Sequence, residues 1–470
     1  MINHYKLLIN GQWQEGADQA FEVKNPSTLE TIATCANATP EQLDLAVEAA
    51  TEAFKHWRNV SHAEKQQILH RIADDVTEAR DEIATLIVAE QGKPLFLARG
   101  EVEGGVAWLR YAADQEIPVE LVEETAEKRI ELHRKPLGVV ASITPWNWPF
   151  MIAVWHIAPA LRAGNTVISK PSSLTPLSTI KLVEIINRHV PQGVINIVTG
   201  ERGIGSAITQ HSAIQKIVFT GSTPTGQSVM RNAADTLKRL TLELGGNDAA
   251  IVLPGTDINK TAAGVFAAAF LNMGQTCAAL KRLYVHESEY EALSAALVRI
   301  CQEQVVGDGF EESTTFGPVQ NQAQLDLIID LVEDARHHGA NIMCGGERLN
   351  REGYFFPPTI ITDVSNHSRV VKEEQFGPVL PIIKYTDLED AIAMANDCEV
   401  GLGGSVWGPD SNAATVVASR LESGVAWVNT HAQIQPNTPF GGCKMSGFGV
   451  EFGLEGLLEF TSHQLLYLSK

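Results

Sequence analysis

The residue best suited to covalent chemistry is Cys277, which follows the stretch Gly274-Gln275-Thr276. A thiol attacks as the thiolate, so it needs a partly exposed, electropositive position, and a helix N-terminus after a glycine turn supplies one. The pattern predicts that such a helix begins near Cys277. On its own, the stretch is more typical of a small apolar side chain buried beside Ala278 and Ala279.

Five other short stretches accompany Cys277: Pro145-Trp146-Asn147-Trp148-Pro149, 219–223, 242–247, 374–379 and 439–442. In this order and at this spacing, they resemble the aldehyde dehydrogenase superfamily over nearly the whole chain. The resemblance implies an enzyme that oxidises an aldehyde with NAD or NADP.

The resemblance also implies roles for individual residues. Cys277 adds to the aldehyde carbonyl, and the side-chain amide of Asn147, with the backbone N–H of Cys277, stabilises the oxyanion. Glu243 then activates the water that releases the acid from a thioester. Lys170 completes the candidate catalytic set. Without the resemblance, Asn147 is as compatible with a turn between two prolines, and Glu243 with a solvated rim carboxylate.

Glu243 lies between two leucines at a predicted strand end, so an apolar wall is expected to raise its pKa. Relatives that pass the acyl group to coenzyme A typically lack this glutamate, so its presence favours a carboxylate product. Ala278 leaves no second thiol beside Cys277. Two alternatives stay open: a coenzyme A-acylating dehydrogenase, and a catalytically idle structural or binding protein on the same fold.

The first α/β strand is not followed by the G-x-G-x-x-G pattern of many dinucleotide sites. The segment 219–226 instead predicts a strand end that leads into a helix, where free N–H groups favour a phosphate, although such a junction is more often a plain cap. The resemblance assigns Ser222 to the pyrophosphate and Lys170 to the ribose. Strict NAD enzymes commonly carry glutamate where this chain has Ser173, so NADP is expected to be accepted. The other cofactor candidates are Ile143, Trp146, Gly205, Gly221, Glu374 and Phe376.

The expected substrate is an apolar aliphatic or aromatic aldehyde. Semialdehyde enzymes commonly carry arginine where this chain has Trp155, and a carboxylate in an apolar tunnel would be desolvated without a counter-charge. Arg162, Arg282 or the loop 431–438 could still supply one. The predicted lining residues are Trp148, Ile152, Trp155, Thr276 and Phe440.

Composition excludes several other classes of protein. The chain has 56 acidic and 36 basic residues, a net charge of −20, so nucleic acid is not an expected partner. Its six cysteines are scattered without metal-ligand spacing, which predicts free thiols and no metal site. Residues 1–6 lack the pattern of a secretory signal, and the uncharged runs 137–161 and 262–280 contain prolines or amides, so we expect a cytoplasmic protein without membrane spans.

The element pattern predicts an α/β fold of two doubly wound parallel sheets, a Rossmann-like cofactor domain and a catalytic domain, with a small β arm. A hairpin is predicted at 6–13, helices at 40–57 and 61–91, and a strand at 123–134. Strands are predicted at 139–144, 166–169, 194–198, 214–220 and 240–244, with helices at 150–161 and 177–189. The second series has strands at 249–253, 355–361, 405–407 and 425–429, and helices at 258–272, 287–304 and 322–337.

These elements predict a dinucleotide-binding domain (1–118 and 139–246), a catalytic domain (247–446) and an oligomerisation arm (119–138 and 455–470). The alternating segment 460–468 would leave an exposed strand edge in a lone chain. Such an edge usually needs a partner, so a homodimer or homotetramer is expected.

Overall fold

The computed structural model describes residues 2–470, apart from the side chain of Arg202. Its N-terminal part combines short strands with four helices that pack around one apolar core. The elements are β1 (Asn3–Tyr5), β2 (Leu7–Ile9), β3 (Gln12–Gln14), β4 (Asp18–Lys24), β5 (Thr31–Asn37), α1 (Pro40–Trp57), α2 (His62–Glu78), α3 (Arg80–Gln91), α4 (Leu95–Asp114), β6 (Glu120–Glu124) and β7 (Lys128–Pro136).

The predicted hairpin is confirmed, with Asn10 and Gly11 both at positive φ, as a tight two-residue turn requires. The helical stretch 61–91 is two helices, because the chain leaves helical geometry at Ala79. The segment 123–134, expected as one strand, contributes to two, β6 and β7.

The middle of the chain alternates strands and helices. It contains β8 (Val139–Ile143), α5 (Pro149–Ala163), β9 (Thr166–Lys170), α6 (Leu177–Asn187), β10 (Ile195–Ile197), α7 (Arg202–Gln210), β11 (Ile214–Thr220), α8 (Thr223–Ala233), a 3-10 turn (Ala234–Thr236) and β12 (Arg239–Glu243). Every residue of β8 and β9 is buried, as expected for strands covered on both faces.

The last part repeats this alternation. It contains β13 (Asp248–Val252), α9 (Ile258–Phe270), a 3-10 turn (Leu271–Gly274), β14 (Leu280–His286), α10 (Glu287–Gln302), α11 (Gln322–His337), β15 (Asn341–Cys344), β16 (Thr359–Thr362), α12 (Arg369–Lys372), β17 (Val379–Tyr385), α13 (Leu388–Asn396), β18 (Val400–Gly401), β19 (Gly403–Trp407), α14 (Ser411–Ala418), β20 (Val425–Val428), β21 (Cys443–Lys444), β22 (Gly447–Phe448), α15 (Gly453–Leu458) and β23 (Thr461–Ser469).

Two large sheets organise these elements. The first has eight strands in the order β22-β12-β11-β8-β9-β10-β2-β3, and the second has seven in the order β15-β16-β17-β14-β13-β19-β20. The pairings from β12 to β10 and from β16 to β20 are all parallel. The predicted class, α/β with two parallel sheets, is therefore confirmed.

A separate sheet of three strands, β23-β7-β6, projects from the chain's helical and sheet layers. Strand β23 pairs with β7 along nine residues, and its other edge pairs with no strand in the described part of the chain. Leu465, Leu466 and Tyr467 are exposed on it. None of the helices in the described part of the chain has the length and apolar character needed to span a bilayer.

Candidate active site

Cys277 lies in a turn between the 3-10 turn Leu271–Gly274 and strand β14, so the predicted helix at its position is wrong. Asn272 and Met273 have left-handed backbone angles, with φ of 52° and 56°. That geometry breaks the helical path of α9 before it reaches the thiol, and the chain enters β14 instead. We call residues 274–279 the nucleophile loop.

Side chains from outside the nucleophile loop hold its carbonyl oxygens. Lys281 Nζ donates to Gly274 O at 2.5 Å, and Asn147 Nδ2 to Gln275 O at 3.0 Å. His431 Nε2 lies 3.2 Å from Ala278 O and 3.4 Å from the Asp248 carboxylate. Because the loop has no regular structure of its own, these bonds fix the position of the thiol.

Asn147 is held in turn by a buried ion pair. Lys93 Nζ lies 2.6 Å from the Glu101 carboxylate and donates to Asn147 O at 3.0 Å, with its ammonium 3.6 Å from the centre of the Trp148 ring. Glu101 accepts the first N–H groups of α5, including that of Phe150. The turn that carries Asn147 is therefore held on both sides, and the Asn147 amide nitrogen, which donates to Gln275 O, has a second hydrogen available to donate.

Glu243 ends β12 with its carboxyl buried, and neither of its oxygens has a hydrogen-bond partner among the described residues. Burial raises the pKa of Glu243 well above its usual range, and the carboxyl of Glu451 raises it further. Glu451 also lies 3.2 Å from His156 Nε2, which contacts Thr220 Oγ1 at 3.0 Å. The rise in pKa expected for Glu243 therefore comes from burial, together with a second carboxyl that the sequence analysis did not include.

The Cys277 thiol is half-buried in acidic surroundings rather than the electropositive position expected from the sequence. Burial raises its pKa, and the carboxyls of Glu243, Glu374 and Asp248 raise it further. A raised pKa favours the neutral thiol, so covalent chemistry at this sulfur would require removal of its proton.

An aromatic cluster packs against Cys277 and contains every apolar residue predicted to line the substrate site. Trp155 lies 4.7 Å from Phe452 and 5.5 Å from Trp108, between ring centres. Trp148 Nε1 donates to Thr276 Oγ1 at 3.0 Å, which ties this cluster to the nucleophile loop. The predicted members are Trp148, Ile152, Trp155 and Phe440; the sequence analysis missed Trp108, Trp427 and Phe452.

The side chains proposed as possible counter-charges are engaged in hydrogen bonds to other parts of the chain. The guanidinium of Arg162 donates to the carbonyl oxygens of Ala113 and Gln115, and that of Arg282 to those of Asn247 and Ala395. His431, at the start of the loop 431–438, is buried against the nucleophile loop.

The cofactor candidates lie at one edge of the first sheet. Ile143 pairs with both Lys170 and Phe219, and Thr220 with Glu243, so four parallel strands end together there. Ligands of such sheets bind beyond the carboxyl ends of the strands.

Two features at this edge fit a phosphate-bearing cofactor. Lys170 Nζ donates to Pro171 O at 3.0 Å and has no carboxylate within ion-pair distance among the described residues, and burial lowers its pKa to about 8. Gly205 lies against the lysine stem, and Ser173 is half-buried in the next loop. Ser222 begins α8 without capping it, so the first N–H groups beyond Gly221 are available to an anion.

The remaining candidates connect the two sheets. Glu374 accepts the N–H of Gly246 at 3.1 Å, and burial raises its pKa to about 7. Phe376 has a left-handed φ of 43°, and its ring lies 5.3 Å from that of Trp146. These side chains therefore lie between the cofactor edge and the nucleophile loop, which Gly246 also contacts.

Two parallel sheets, with a half-buried thiol, a buried carboxyl and an aromatic cluster between them, fit an α/β oxidoreductase. The profile of the aldehyde dehydrogenase family matches residues 13–466. The chain belongs to the aldehyde dehydrogenase family, and it is an NAD(P)-dependent aldehyde dehydrogenase.

Individual relatives cover nearly the whole chain. It is 38% identical over 465 residues to aldehyde dehydrogenase LUC3 of a Fusarium species, with 98% of both chains covered. It is 36% identical over 463 residues to the succinate-semialdehyde dehydrogenase (NADP(+)) GabD of Escherichia coli strain K12, covering 97% of this chain and 96% of GabD. The solved NAD+ complex of a Bacillus cereus aldehyde dehydrogenase superposes with a TM-score of 0.97 at 34% identity, covering 99% of this chain and 97% of that one.

Proposed function

We propose that this enzyme oxidises an apolar aliphatic or aromatic aldehyde to its carboxylic acid through a covalent adduct on Cys277. The observation that carries the proposal is the convergence of Asn147 and Glu243 on the loop of one thiol. Asn147 binds that loop directly, and Glu243 is the charge with the largest influence on the pKa of the thiol.

The proposed reaction begins with a neutral thiol. The sulfur of Cys277 bonds to the carbonyl carbon as its proton leaves to solvent water, and the oxyanion accepts hydrogen bonds from Asn147 Nδ2 and the backbone N–H of Cys277. When bound, NAD(P)+ would supply the hydride acceptor for conversion of this adduct into a thioester. The ionised Glu243 then takes a proton from an attacking water, the carbon–sulfur bond breaks as that proton passes to the sulfur, and the acid leaves.

The aromatic cluster supports the apolar substrate class. The cluster consists of aromatic and aliphatic side chains. Arg162 and Arg282 donate to backbone carbonyls, so a distal carboxylate of a substrate would lack a counter-charge there. A panel of straight-chain, aromatic and carboxylate-bearing aldehydes with each cofactor tests this. The highest kcat/KM on succinate semialdehyde would contradict it.

The coenzyme A-acylating alternative predicts a different product. Under our proposal, turnover is independent of coenzyme A and yields a free carboxylate, which mass spectrometry of the product detects. The idle-protein alternative predicts no reduced cofactor with any aldehyde of the panel.

We further propose that NADP is accepted at least as well as NAD, because Lys170 is an unpaired cation and Ser173 carries no charge. Ser173→Glu is expected to shift the NADP to NAD ratio of kcat/KM towards NAD by about 10- to 100-fold, since a carboxylate repels a 2′-phosphate. Steady-state kinetics with both cofactors measures the shift. The matched control is Ser172→Glu at the neighbouring half-buried position, and an unchanged ratio in Ser173→Glu would mean that the ribose is recognised elsewhere.

We propose that the chain divides into a cofactor domain, a catalytic domain and an arm. The eight-stranded, seven-stranded and β23-β7-β6 sheets share no strand, which supports this division. We also propose a homodimer or homotetramer joined through β23, whose free edge carries exposed apolar side chains. Sedimentation of the protein as a monomer would contradict this assembly.

A further inference from the structure

Lys281 is a buried lysine that takes no part in the steps proposed above. Only 1% of the residue is exposed, and it lies on β14 shortly after Cys277. Burial lowers the pKa of its ammonium to about 7, although Glu374 and Asp248 act in the opposite direction. A buried ammonium is costly unless hydrogen bonds replace its water shell, so its partners show what it stabilises.

Both partners of Lys281 are backbone carbonyl groups. Its Nζ donates to Gly274 O at 2.5 Å and to Gly377 O at 2.9 Å. Gly274 begins the nucleophile loop, whereas Gly377 directly follows Phe376 in the segment that also carries Glu374. The lysine therefore bridges the loop of the thiol and the segment that carries the cofactor candidates Glu374 and Phe376.

The two segments also touch each other independently of the lysine. A Cβ on Gly274 would lie only 2.2 Å from Gly377 O, and Gly274 has a φ of +71°, so a side chain is excluded there. The Gly274 and Gly377 carbonyl oxygens also accept from the same ammonium, and that cation offsets the repulsion between their negative ends.

We propose that Lys281 is a positioning residue that couples the segment 374–377 to the nucleophile loop. The role in turnover rests on the proposed function. Because Lys281 holds both segments through one ammonium, a shift of Phe376 and Gly377 on cofactor binding moves Gly274 and the thiol with it. Without the ammonium, the two segments respond independently.

The first test measures thiol reactivity rather than turnover. Wild type and Lys281→Met are treated with iodoacetamide with and without NADP+, and modification of Cys277 is followed by peptide mass spectrometry, with Cys398 as internal reference. In the wild type, NADP+ is expected to change the Cys277 rate by about fivefold or more. In Lys281→Met, the rates of Cys277 modification with and without NADP+ should be equal. Equal sensitivity of both proteins to NADP+, or no effect in the wild type, would overturn the proposal.

The second test separates positioning from folding. Lys281→Met is expected to lower kcat about tenfold or more with little change in KM for the aldehyde, and Lys281→Gln, which keeps a donor, to recover part of the loss. Lys65→Met is the matched control, since Lys65 is also buried and donates to one carbonyl oxygen, Val60 O at 2.7 Å. Equal kcat losses in the Lys65 and Lys281 variants would indicate a general stability effect and overturn the proposal. If no aldehyde is oxidised even by the wild type, the proposed function fails, while the alkylation comparison still decides the role of Lys281.

Discussion

Cys277→Ala is expected to lower aldehyde oxidation by on the order of 10⁴-fold or more, because the adduct and the thioester both form on this sulfur. Cofactor binding should be largely unchanged, since the cofactor candidates lie on other elements. Absorbance of the reduced cofactor measures the first expectation, and titration calorimetry with NADP+ the second.

The matched control for this variant is Cys398→Ala, which removes another half-buried thiol far along the sequence from Cys277. It should keep wild-type kinetics. Retained dehydrogenase activity in Cys277→Ala would refute the assignment of the nucleophile.

Glu243→Gln is expected to give a burst of reduced cofactor and then a steady-state rate about 10²- to 10⁴-fold below the wild type, because the thioester forms but water is not activated. Gln has nearly the shape of Glu, so packing beside Leu242 and Leu244 is preserved. Rapid-mixing absorbance detects the burst, and mass spectrometry of the quenched protein detects acylated Cys277. A normal steady-state rate would rule out Glu243 as the base. Loss of the burst as well would mean that Glu243 is also needed before the thioester forms.

The wild-type pH profile offers an independent check on Glu243. The base must be ionised, and its folded-state pKa is raised by burial and by Glu451, so turnover should rise with pH through a range above that of an ordinary carboxyl. Glu374, whose pKa is raised to about 7, is a second carboxyl that titrates above the ordinary range. If a rise of turnover with pH is present in the wild type and absent from the residual activity of Glu243→Gln, that rise reports the ionisation of Glu243.

All parallel strands of the first sheet, and β13, β16, β19 and β20 of the second, were predictable because each is a short, buried, β-branched run between helical patterns. Strand β17, which contains Pro381, was not predicted. Strand β14 was not predicted, because its sequence, from Leu280 to His286, carries Lys281 and Arg282 in the middle of a buried run. Their charges are accommodated by hydrogen bonds to backbone carbonyls of distant segments, and no local pattern reports such bonds. The helix predicted at Cys277 was wrong for the same reason, because the chain there continues into β14, which was not predicted.

The motif residues of the site were predictable, whereas the residues that position them were not. Lys93, Glu101 and Glu451 are charged side chains on a helix or near a turn, and their sequence neighbours are typical of an exposed surface. Only the fold shows that they are buried against Asn147 and Glu243. Trp108 and Phe452 lie far apart in the sequence, so their shared contact with Trp155 could not be read from spacing.

The contact between Gly246 and the nucleophile loop limits how this enzyme can be redesigned. A Cβ on Gly246 would lie 2.3 Å from the carbonyl oxygen of Cys277, so even alanine there would displace the backbone of Cys277. We therefore expect substitutions that admit bulkier or more polar substrates to be tolerated in the aromatic cluster, at Trp108, Trp155 or Phe452. A saturation library over those three positions should yield active variants with altered selectivity, and a library at Gly246 should yield almost none.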